Sequence, residues 1–334
     1  MDINNVYLFV FGLILLIKGG DWFVDSASGI ARRFKLPELL IGATVVSIGT
    51  TLPEVMVSAT AAIDGSGGMA YGNAIGSIIC NTSLIAATTI AIKPGKVSKS
   101  TLVLPVSFFF AAALFYALTA YIGGHFSRVT GIILLCGFVL YMVLTVMQML
   151  RGRKAGNVGE PSAELEEISS EEPAPIWKSV LFLIIGAAVI AVGADLLVDN
   201  GIAIAAALGV PETVISLTFV ALGTSLPELV TAITALMKGH GALSLGNIIG
   251  ANLFNLVLVS GVATTILPFD VPAGTTVGSI PLSFIVDIPV MLTVMAILVI
   301  PALIRGKLSR VQGISLLTIY AAFCAVQFIL PMVI

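Results

Sequence analysis

The stretch Gly49-Thr50-Thr51-Leu52-Pro53-Glu54 decides how this chain folds, and it recurs as Gly223-Thr224-Ser225-Leu226-Pro227-Glu228. Each copy places a carboxylate, two hydroxyls and a helix-breaking proline inside an apolar segment about as long as a membrane span. An ionisable side chain at membrane depth costs at least roughly 2.5 to 3.5 kcal/mol on insertion scales. A chain that keeps two such carboxylates in matched surroundings is therefore predicted to use them to bind ions.

The composition assigns the chain to the membrane. Hydrophobic residues make up 58% of its 334 residues and charged residues 10%, which is more apolar surface than a soluble domain can hide. We therefore predict an all-α polytopic membrane protein that contacts the lipid bilayer and has neither a cofactor nor a nucleic-acid partner. The first apolar run lacks a basic leader and a small-residue cleavage site, so it is predicted to be a span.

Ten apolar runs are long enough to cross a bilayer. Their predicted limits are 5–26, 38–63, 70–92, 101–122, 128–150, 176–199, 211–237, 243–267, 279–303 and 311–333. Between the fifth and sixth runs, residues 151–175 carry three basic residues and then six glutamates among Ser, Pro and Gly. This composition predicts a disordered acidic linker. The predicted domains are therefore a five-helix repeat at 1–150, the linker at 151–175 and a second five-helix repeat at 176–334.

The two halves repeat at one constant offset over their first three spans. The offset that matches Asp21 to Asp195 also matches Glu54 to Glu228 and Asn81 to Asn255. An offset without gaps over three spans indicates a duplication. Because each half has an odd number of spans, the second copy must cross the membrane inverted relative to the first.

The basic residues support this inverted orientation. Fourteen of the sixteen Lys and Arg residues fall in odd-numbered loops or the linker, whereas Arg128 lies on the opposite side and Lys18 lies within the first span. This asymmetry predicts a cytoplasmic linker and extracellular termini. Short loops without targeting segments suit the cell (inner) membrane of a prokaryote. Two inverted repeats with helices broken at the midplane are typical of a secondary transporter.

The first motif carries its polar side chains on one helical face. Spacings of three and four residues relate Ser47, Thr50, Thr51, Glu54 and Ser58. Pro53 lacks a backbone N–H and crowds the carbonyl four residues earlier, so we predict that the helix kinks or unwinds around residues 46–50 and exposes carbonyl oxygens. The second motif repeats the arrangement with Thr218, Ala221, Thr224, Ser225 and Glu228.

The span after each motif adds a second polar row. Spacings of four residues relate Asn73, Ser77 and Asn81 in the first half, and Asn247, Ala251 and Asn255 in the second. The pooled carboxylate, hydroxyl, amide and carbonyl oxygens suit hard cations such as Na⁺ and Ca²⁺, and without His or Cys they disfavour soft metals. For Asn73 and Asn247, interhelical hydrogen bonding that only holds the bundle together is the alternative.

The paired GTTLPE and GTSLPE segments, each followed by a GNxxG segment that ends in Asn, resemble the two α repeats of the sodium/calcium exchanger family, within the cation/calcium antiporters. The resemblance covers the whole ten-span plan. It implies an antiporter that carries Ca²⁺ and Na⁺ by alternating access, and a chain that functions as a monomer. It also implies metal ligands at Thr50, Thr51, Glu54, Ser77, Asn81, Thr224, Ser225, Glu228 and Asn255, with backbone oxygens near Ser47 and Ala221.

The second repeat departs from the family pattern at two positions. Family members often carry Asp at the position of Asn255 and usually Ser at that of Ala251, and Ile78 occupies a place where the second repeat has Asn. Two carboxylates remain, which formally neutralise one Ca²⁺ or two Na⁺. The Na⁺ stoichiometry is therefore left open by the sequence.

Other classes of function stay open as alternatives. A proton/calcium antiporter would use the same pair of glutamates with H⁺ as the counter-ion. A cation channel fits a duplicated broken-helix site less well than alternating access does. A membrane enzyme is disfavoured because the chain lacks an HExxH motif, a nucleophile with a partnering His, and a phosphate loop.

A few further ionisable residues lie outside the duplicated motifs. His125 and His240 fall in predicted loops, so we expect both to be solvated. Asp21 is expected near a span end, where it reaches the interface or Lys18 one turn away. Asp287 lies within the ninth span, where it is either protonated and hydrogen-bonded or part of a proton path.

Overall fold

The structure is a computed structural model that describes residues 3–34, 36–154, 175–208, 223–272, 276–277 and 279–333. Within these ranges, eight helices are long and apolar enough to cross a membrane. Two further apolar helices, Leu226–Met237 and Arg310–Val333, fall where the seventh and tenth spans are predicted. The all-α polytopic class is confirmed, and the helical segments agree with the predicted spans, of which the first part of the seventh, 211–222, lies outside the described residues.

The helices are numbered in chain order. They are α1 Ile3–Phe34, α2 Glu38–Ile41, α3 Ser47–Ile63, α4 Gly67–Cys80, α5 Ala87–Ile92, α6 Lys99–Leu118, α7 Arg128–Lys154, α8 Ile176–Ala207, α9 Leu226–Met237, α10 Gly241–Phe254, α11 Ser260–Ile266, α12 Ile288–Arg305 and α13 Arg310–Val333. Four two-residue strands form two antiparallel pairs, β1 His125–Phe126 with β2 Phe269–Asp270, and β3 Thr276–Val277 with β4 Ile280–Pro281.

Five π-helical segments interrupt the described α-helices. They are π1 Gly42–Val46, π2 Asn81–Ala86, π3 Thr119–Gly123, π4 Asn255–Val259 and π5 Ser283–Asp287. Segments π2 and π4 begin at Asn81 and Asn255, which occupy equivalent positions in the two repeats. Short π segments inside α-helices occur frequently at functional sites, because they rotate the following side chains and leave backbone groups open.

The predicted break at residues 46–50 was misplaced. Ser47 to Ile63 form a continuous α-helix that contains Pro53, and the irregular segment is π1, which ends at Val46. In the second copy, Thr224 and Ser225 form a turn before α9, and Pro227 lies in the first turn of that helix, where its missing N–H costs nothing. Thr218 and Ala221 lie outside the described residues.

The described chain forms two compact units. The first comprises residues 1–53 and 149–247, and the second comprises 54–148 and 248–334. Each unit therefore contains helices from both sequence repeats, and the boundaries fall inside α3, α7 and α10. Helix α7 ends at Lys154, so the first four residues of the predicted linker are helical, while 155–174 lie outside the described residues. The predicted repeat limits stay a prediction.

The first unit is built on close packing between α1 and α8. A β-carbon on Gly12 would lie 2.8 Å from Gly193 O, and one on Gly193 would lie 2.9 Å from Gly12 O. Two turns along, Gly19 and Gly186 meet in the same way, at 3.1 and 3.0 Å. In the repeat, Gly12 is equivalent to Gly186 and Gly19 to Gly193. The contact of Gly12 with Gly193 is therefore the repeat equivalent of the contact of Gly186 with Gly19, so the two helices pack symmetrically. Small residues allow this approach of backbones.

The second unit shows the repeat symmetry through two arginines. Arg310 Nε, at the start of α13, donates to Ala91 O at 2.9 Å, and Arg128 Nε, at the start of α7, donates to Thr265 O at 2.9 Å. Ala91 and Thr265 are repeat-equivalent and lie in the last turns of α5 and α11. The guanidinium groups thus satisfy carbonyls that a helix end leaves open. Arg128, the exception to the charge asymmetry, has this structural role.

Candidate functional site

In the first unit, the carboxylate of Glu228 accepts a hydrogen bond from a hydroxyl group of the first motif. Thr51 Oγ1 donates to Glu228 Oε1 at 3.4 Å, and both residues are wholly buried. Glu228 lies in the first turn of α9, where the helix dipole and open N–H groups favour negative charge. The structure therefore brings together Thr51 and Glu228, which come from different repeats and lie far apart in the sequence.

Asn247 organises the other polar residues of the first motif. Thr50 Oγ1 donates to Asn247 Oδ1 at 3.2 Å. The Ser47 hydroxyl lies 2.7 Å from Gly42 O and 2.9 Å from Asn247 O, so it bridges two carbonyl oxygens. Ser47 and Thr50 are therefore held by α10, and Asn247 serves as an interhelical partner, the alternative considered for it.

Two glycines allow α10 to approach π1 so closely. A β-carbon on Gly42 would lie 2.8 Å from Asn247 N, and one on Gly246 would overlap Leu39 O. Neither position accepts a side chain without movement of the backbone. The hydrogen bonds of Ser47 and Thr50 to Asn247 depend on this contact, because a larger residue would push the two helices apart.

In the second unit, Glu54 lies on α3 beside Ser58 and Asn73. Asn73 Nδ2 donates to Glu54 O at 3.2 Å and to Ser58 Oγ at 2.9 Å. The amide thus holds the main chain at Glu54 and leaves the carboxylate to other partners. Glu54 and Ser58 are wholly buried. An ionisable group in such a position is a functional candidate by default in a membrane protein.

Asn81 and Asn255 are the first residues of π2 and π4, and both are wholly buried. In the part of the chain that the structure describes, none of their four side-chain nitrogen and oxygen atoms has a hydrogen-bond partner. A buried polar group without a partner costs about 1–3 kcal/mol. Amide oxygens left open in this way suit a ligand such as a hard cation.

The remaining predicted site residues fall around these groups. Ser77 is buried on α4, one turn before Asn81. Ser225 is buried in the turn before α9, and Thr224 beside it is partly exposed. Ala221 lies outside the described residues. Among those that are described, no group of three or more His, Cys, Asp or Glu side chains is placed to hold a metal ion.

Sequence reasoning missed the side-chain partners of His240 and Lys238 in the first unit. His240 Nδ1 lies 2.8 Å from Glu38 Oε1, and both side chains are about nine-tenths buried, so the expectation that His240 is solvated was wrong. Lys238 Nζ lies 3.1 Å from Asp21 Oδ1 and 2.8 Å from Asp25 Oδ1. Asp21 is thus paired with Lys238, which follows the last residue of α9, and its place near a span end stays a prediction. The partners come from opposite halves of the chain, which no local pattern shows.

His125 and Asp287 are the two other ionisable residues that were considered outside the duplicated motifs. His125 Nδ1 lies 2.6 Å from Asp270 Oδ1 between β1 and β2, and both groups are exposed. Asp287 ends π5 and accepts a hydrogen bond from Gln327 Nε2 at 2.6 Å. Asp287 therefore lies about one turn from the start of its span and is hydrogen-bonded, whereas its protonation and a role in a proton path stay predictions.

Comparison with known proteins covers both halves of the chain. A family model described as sodium/calcium exchanger protein matches residues 4–147 and 178–329. The putative antiporter CaxA of Alkalimonas amylolytica is 34% identical, over 99% of this chain and 99% of its own. The sodium/calcium exchanger MaX1 of Methanosarcina acetivorans is 30% identical, over 97% of this chain and 98% of its own.

Solved structures extend the likeness to the fold. The sodium-calcium exchanger NCX_Mj, soaked with Na⁺ and Ca²⁺, matches with a TM-score of 0.78 and 33% sequence identity. The match covers 98% of this chain and 99% of that chain. A likeness of this extent includes every predicted span and both motifs, and it agrees with the predicted inverted repeat.

Proposed function

The chain belongs to the sodium/calcium exchanger family, and from that premise we propose that it exchanges Ca²⁺ for Na⁺ across a membrane by alternating access. Its family and its structural neighbours are transporters. The observation that carries the proposal is the complete burial of Glu54 and Glu228 in two matched motifs whose other polar groups are oxygen ligands. Hard cations are the substrates that such groups bind.

We propose that Glu54 and Glu228 both bind transported cations. Thr51 supports this role because its hydroxyl holds Glu228 Oε1, and Asn81 and Asn255 support it because their buried amides are open. The neutral oxygens proposed to complete the ligand set come from Ser47, Thr50, Thr51, Ser77, Asn81, Ala221, Thr224, Ser225 and Asn255.

Charge balance couples the two ions in this proposal. Two carboxylates match one Ca²⁺ or two Na⁺, and a flexible set of oxygens accepts either ion because they are similar in size. A site without cations would carry two carboxylates in a medium of low dielectric, which opposes crossing of the empty carrier. Ions therefore move in exchange and do not leak.

We further propose that the chain acts as a monomer in the cell (inner) membrane, with the linker in the cytoplasm and the termini outside. The distribution of Lys and Arg supports this orientation. Labelling of single cysteines introduced near residues 3 and 160 in intact cells tests it, because only the first should react with an impermeant reagent.

Ion flux in proteoliposomes tests the exchange itself. We expect an outward Na⁺ gradient to drive uptake of radioactive Ca²⁺, and we expect Glu54→Gln and Glu228→Gln to abolish it while the proteins stay monodisperse. Uptake driven by a pH gradient alone, without Na⁺, would instead identify H⁺ as the counter-ion. Unchanged flux in both variants would contradict the assignment of the two glutamates.

A further inference from the structure

A wholly buried polar contact joins two helices of the second unit close to Asn81 and Asn255. Asn252 Nδ2 donates to Thr82 Oγ1 at 2.7 Å and lies 3.2 Å from Met295 Sδ. The Thr82 hydroxyl itself donates to Ile78 O at 2.7 Å. The amide nitrogen and the hydroxyl are thus both engaged, and the contact is completely shielded.

The contact lies next to the two asparagines that begin the π segments. Thr82 follows Asn81 directly as the second residue of π2, and Asn252 lies about one helical turn before Asn255, the first residue of π4. Helix α4 packs against π4 in the same unit. A bond between Thr82 and Asn252 therefore holds the starts of both π segments at a defined separation.

The sequence repeat does not duplicate this contact. At the repeat offset that relates Asn81 to Asn255, Asn252 matches Ile78 and Thr82 matches Leu256. Ile78 and Leu256 are also wholly buried, but both are apolar. A hydrogen bond is directional and fixes the geometry of its partners, whereas an apolar contact lets helices slide at little cost. A side-chain hydrogen bond therefore links π2 to the end of α10 at Thr82 and Asn252, while the repeat-equivalent positions Ile78 and Leu256 cannot form one.

We propose that Asn252 and Thr82 are positioning residues, which set the relative placement of the Asn81 and Asn255 amides and thereby the affinity for transported Ca²⁺. This inference rests on the proposed exchange function. The Thr82 hydroxyl donates to Ile78 O and accepts from Asn252 Nδ2, so its orientation is set by the two helices. The contact acts through the two neighbouring asparagines, whose buried side-chain nitrogen and oxygen atoms have no hydrogen-bond partner in the described residues.

Substitutions that remove one partner at a time test the role. In Thr82→Val and in Asn252→Leu we expect the half-saturating Ca²⁺ concentration for Na⁺-driven uptake to rise about threefold or more, with little change in maximal rate. The double variant should raise the half-saturating Ca²⁺ concentration no more than the more severe single variant does, because both changes remove the same hydrogen bond. Thr82→Ser keeps the hydroxyl and should have the same half-saturating Ca²⁺ concentration as wild type.

The mirror positions provide the matched control. Ile78→Val and Leu256→Val change the size of equally buried side chains without touching a hydrogen bond, so both should leave the half-saturating concentration unchanged. Equilibrium Ca²⁺ binding in detergent, together with monodispersity, separates altered affinity from misfolding. If Thr82→Val fails to fold, Thr82→Ala is compared with Thr82→Ser.

The outcomes distinguish the two proposals. Wild-type protein without Na⁺-driven Ca²⁺ uptake would contradict the proposed function. Wild-type uptake with unchanged affinity in every Thr82 and Asn252 variant would overturn the positioning role alone. A loss confined to Asn252→Leu, with Thr82→Val like wild type, would also overturn it, because Asn252 would then contact the cation directly.

Discussion

The Thr51 hydroxyl donates a hydrogen bond to Glu228 Oε1 across 3.4 Å, which joins the motif of one repeat to the carboxylate of the other. Both groups are wholly buried in the first unit. A hydroxyl at this place stabilises the charged carboxylate and limits its rotation, which supports the proposed role of Glu228 in cation binding.

Removal of this hydroxyl should weaken ion binding. We expect Thr51→Val to raise the half-saturating Ca²⁺ concentration about tenfold, since a hydrogen bond to a charged group contributes about 1.5–3 kcal/mol. Thr51→Ser should behave like wild type. Thr318→Val is the control, because that hydroxyl bonds to Ile314 O within its own helix. Equal effects at both positions would contradict a specific role of Thr51.

Asn247 should be needed to hold Thr50. In Asn247→Ala the Thr50 hydroxyl loses its acceptor, and we expect lower Ca²⁺ flux together with a loss of about 1–3 kcal/mol in stability. Thermal unfolding in detergent and the flux assay measure the two effects. Asn200→Ala is the control, since its amide bonds to Leu196 O in its own helix. A flux loss in the control of the same size would refute the prediction.

The buried pair of Glu38 and His240 should stabilise the first unit. We expect Glu38→Ala to lower the free energy of unfolding by about 1–3 kcal/mol, because it leaves the buried His240 Nδ1 without its hydrogen-bond partner. The exposed pair of His125 and Asp270 is the matched control, and Asp270→Ala should leave the melting temperature nearly unchanged. Equal shifts for the two variants would show that burial of the pair is irrelevant.

The glycine contact between α1 and α8 should not accept a side chain. Gly12→Val places methyl groups against Gly193 O and Leu197 N, so we expect a loss of about 1–3 kcal/mol in stability or failure to fold. Gly137→Val is the control, because a β-carbon there meets no atom within 4 Å. A Gly12→Val protein as stable as wild type would mean that the helices separate freely.

A third carboxylate should change ion coupling. We expect Asn255→Asp to lower the half-saturating Ca²⁺ concentration about tenfold, because another opposite charge at a buried position attracts the divalent ion. Ala251→Ser is the companion variant, in which a neutral hydroxyl should alter the Na⁺ dependence more than the Ca²⁺ dependence. If Asn255→Asp leaves the Ca²⁺ dependence as in wild type, Asn255 lies away from the ion path.

Much of the fold was predictable because the relevant signals are local. Apolar length shows the spans, and the constant offset between matching residues such as Glu54 and Glu228 shows the duplication. The irregular backbone was harder. Pro53 predicts a disturbance by its own chemistry, yet the π segment lies upstream at Gly42–Val46, where α10 approaches Gly42 closely. The irregular segment therefore lies where α10 packs against Gly42, and not at the position that Pro53 alone predicts.

The residues of the candidate site were also predictable in part, whereas their hydrogen-bond partners were not. Glu54, Glu228, Asn81 and Asn255 were identified from the cost of polar groups in an apolar segment, which residue type and spacing reveal. Their partners were not. Asn247 as the acceptor for Thr50, and Glu38 as the partner of His240, follow from contacts between residues of opposite halves of the chain.

The order of residues was enough to identify the membrane class, the duplicated motif, the family and the two glutamates, because hydropathy, repetition and the cost of charge depend on residue type and spacing. The contacts between helices were needed to show which hydroxyl bonds to Glu228, where the π segments begin, and that Asn252 bonds to Thr82. Hydrogen bonds are short and directional, so their partners are set by how helices cross and not by their separation along the chain.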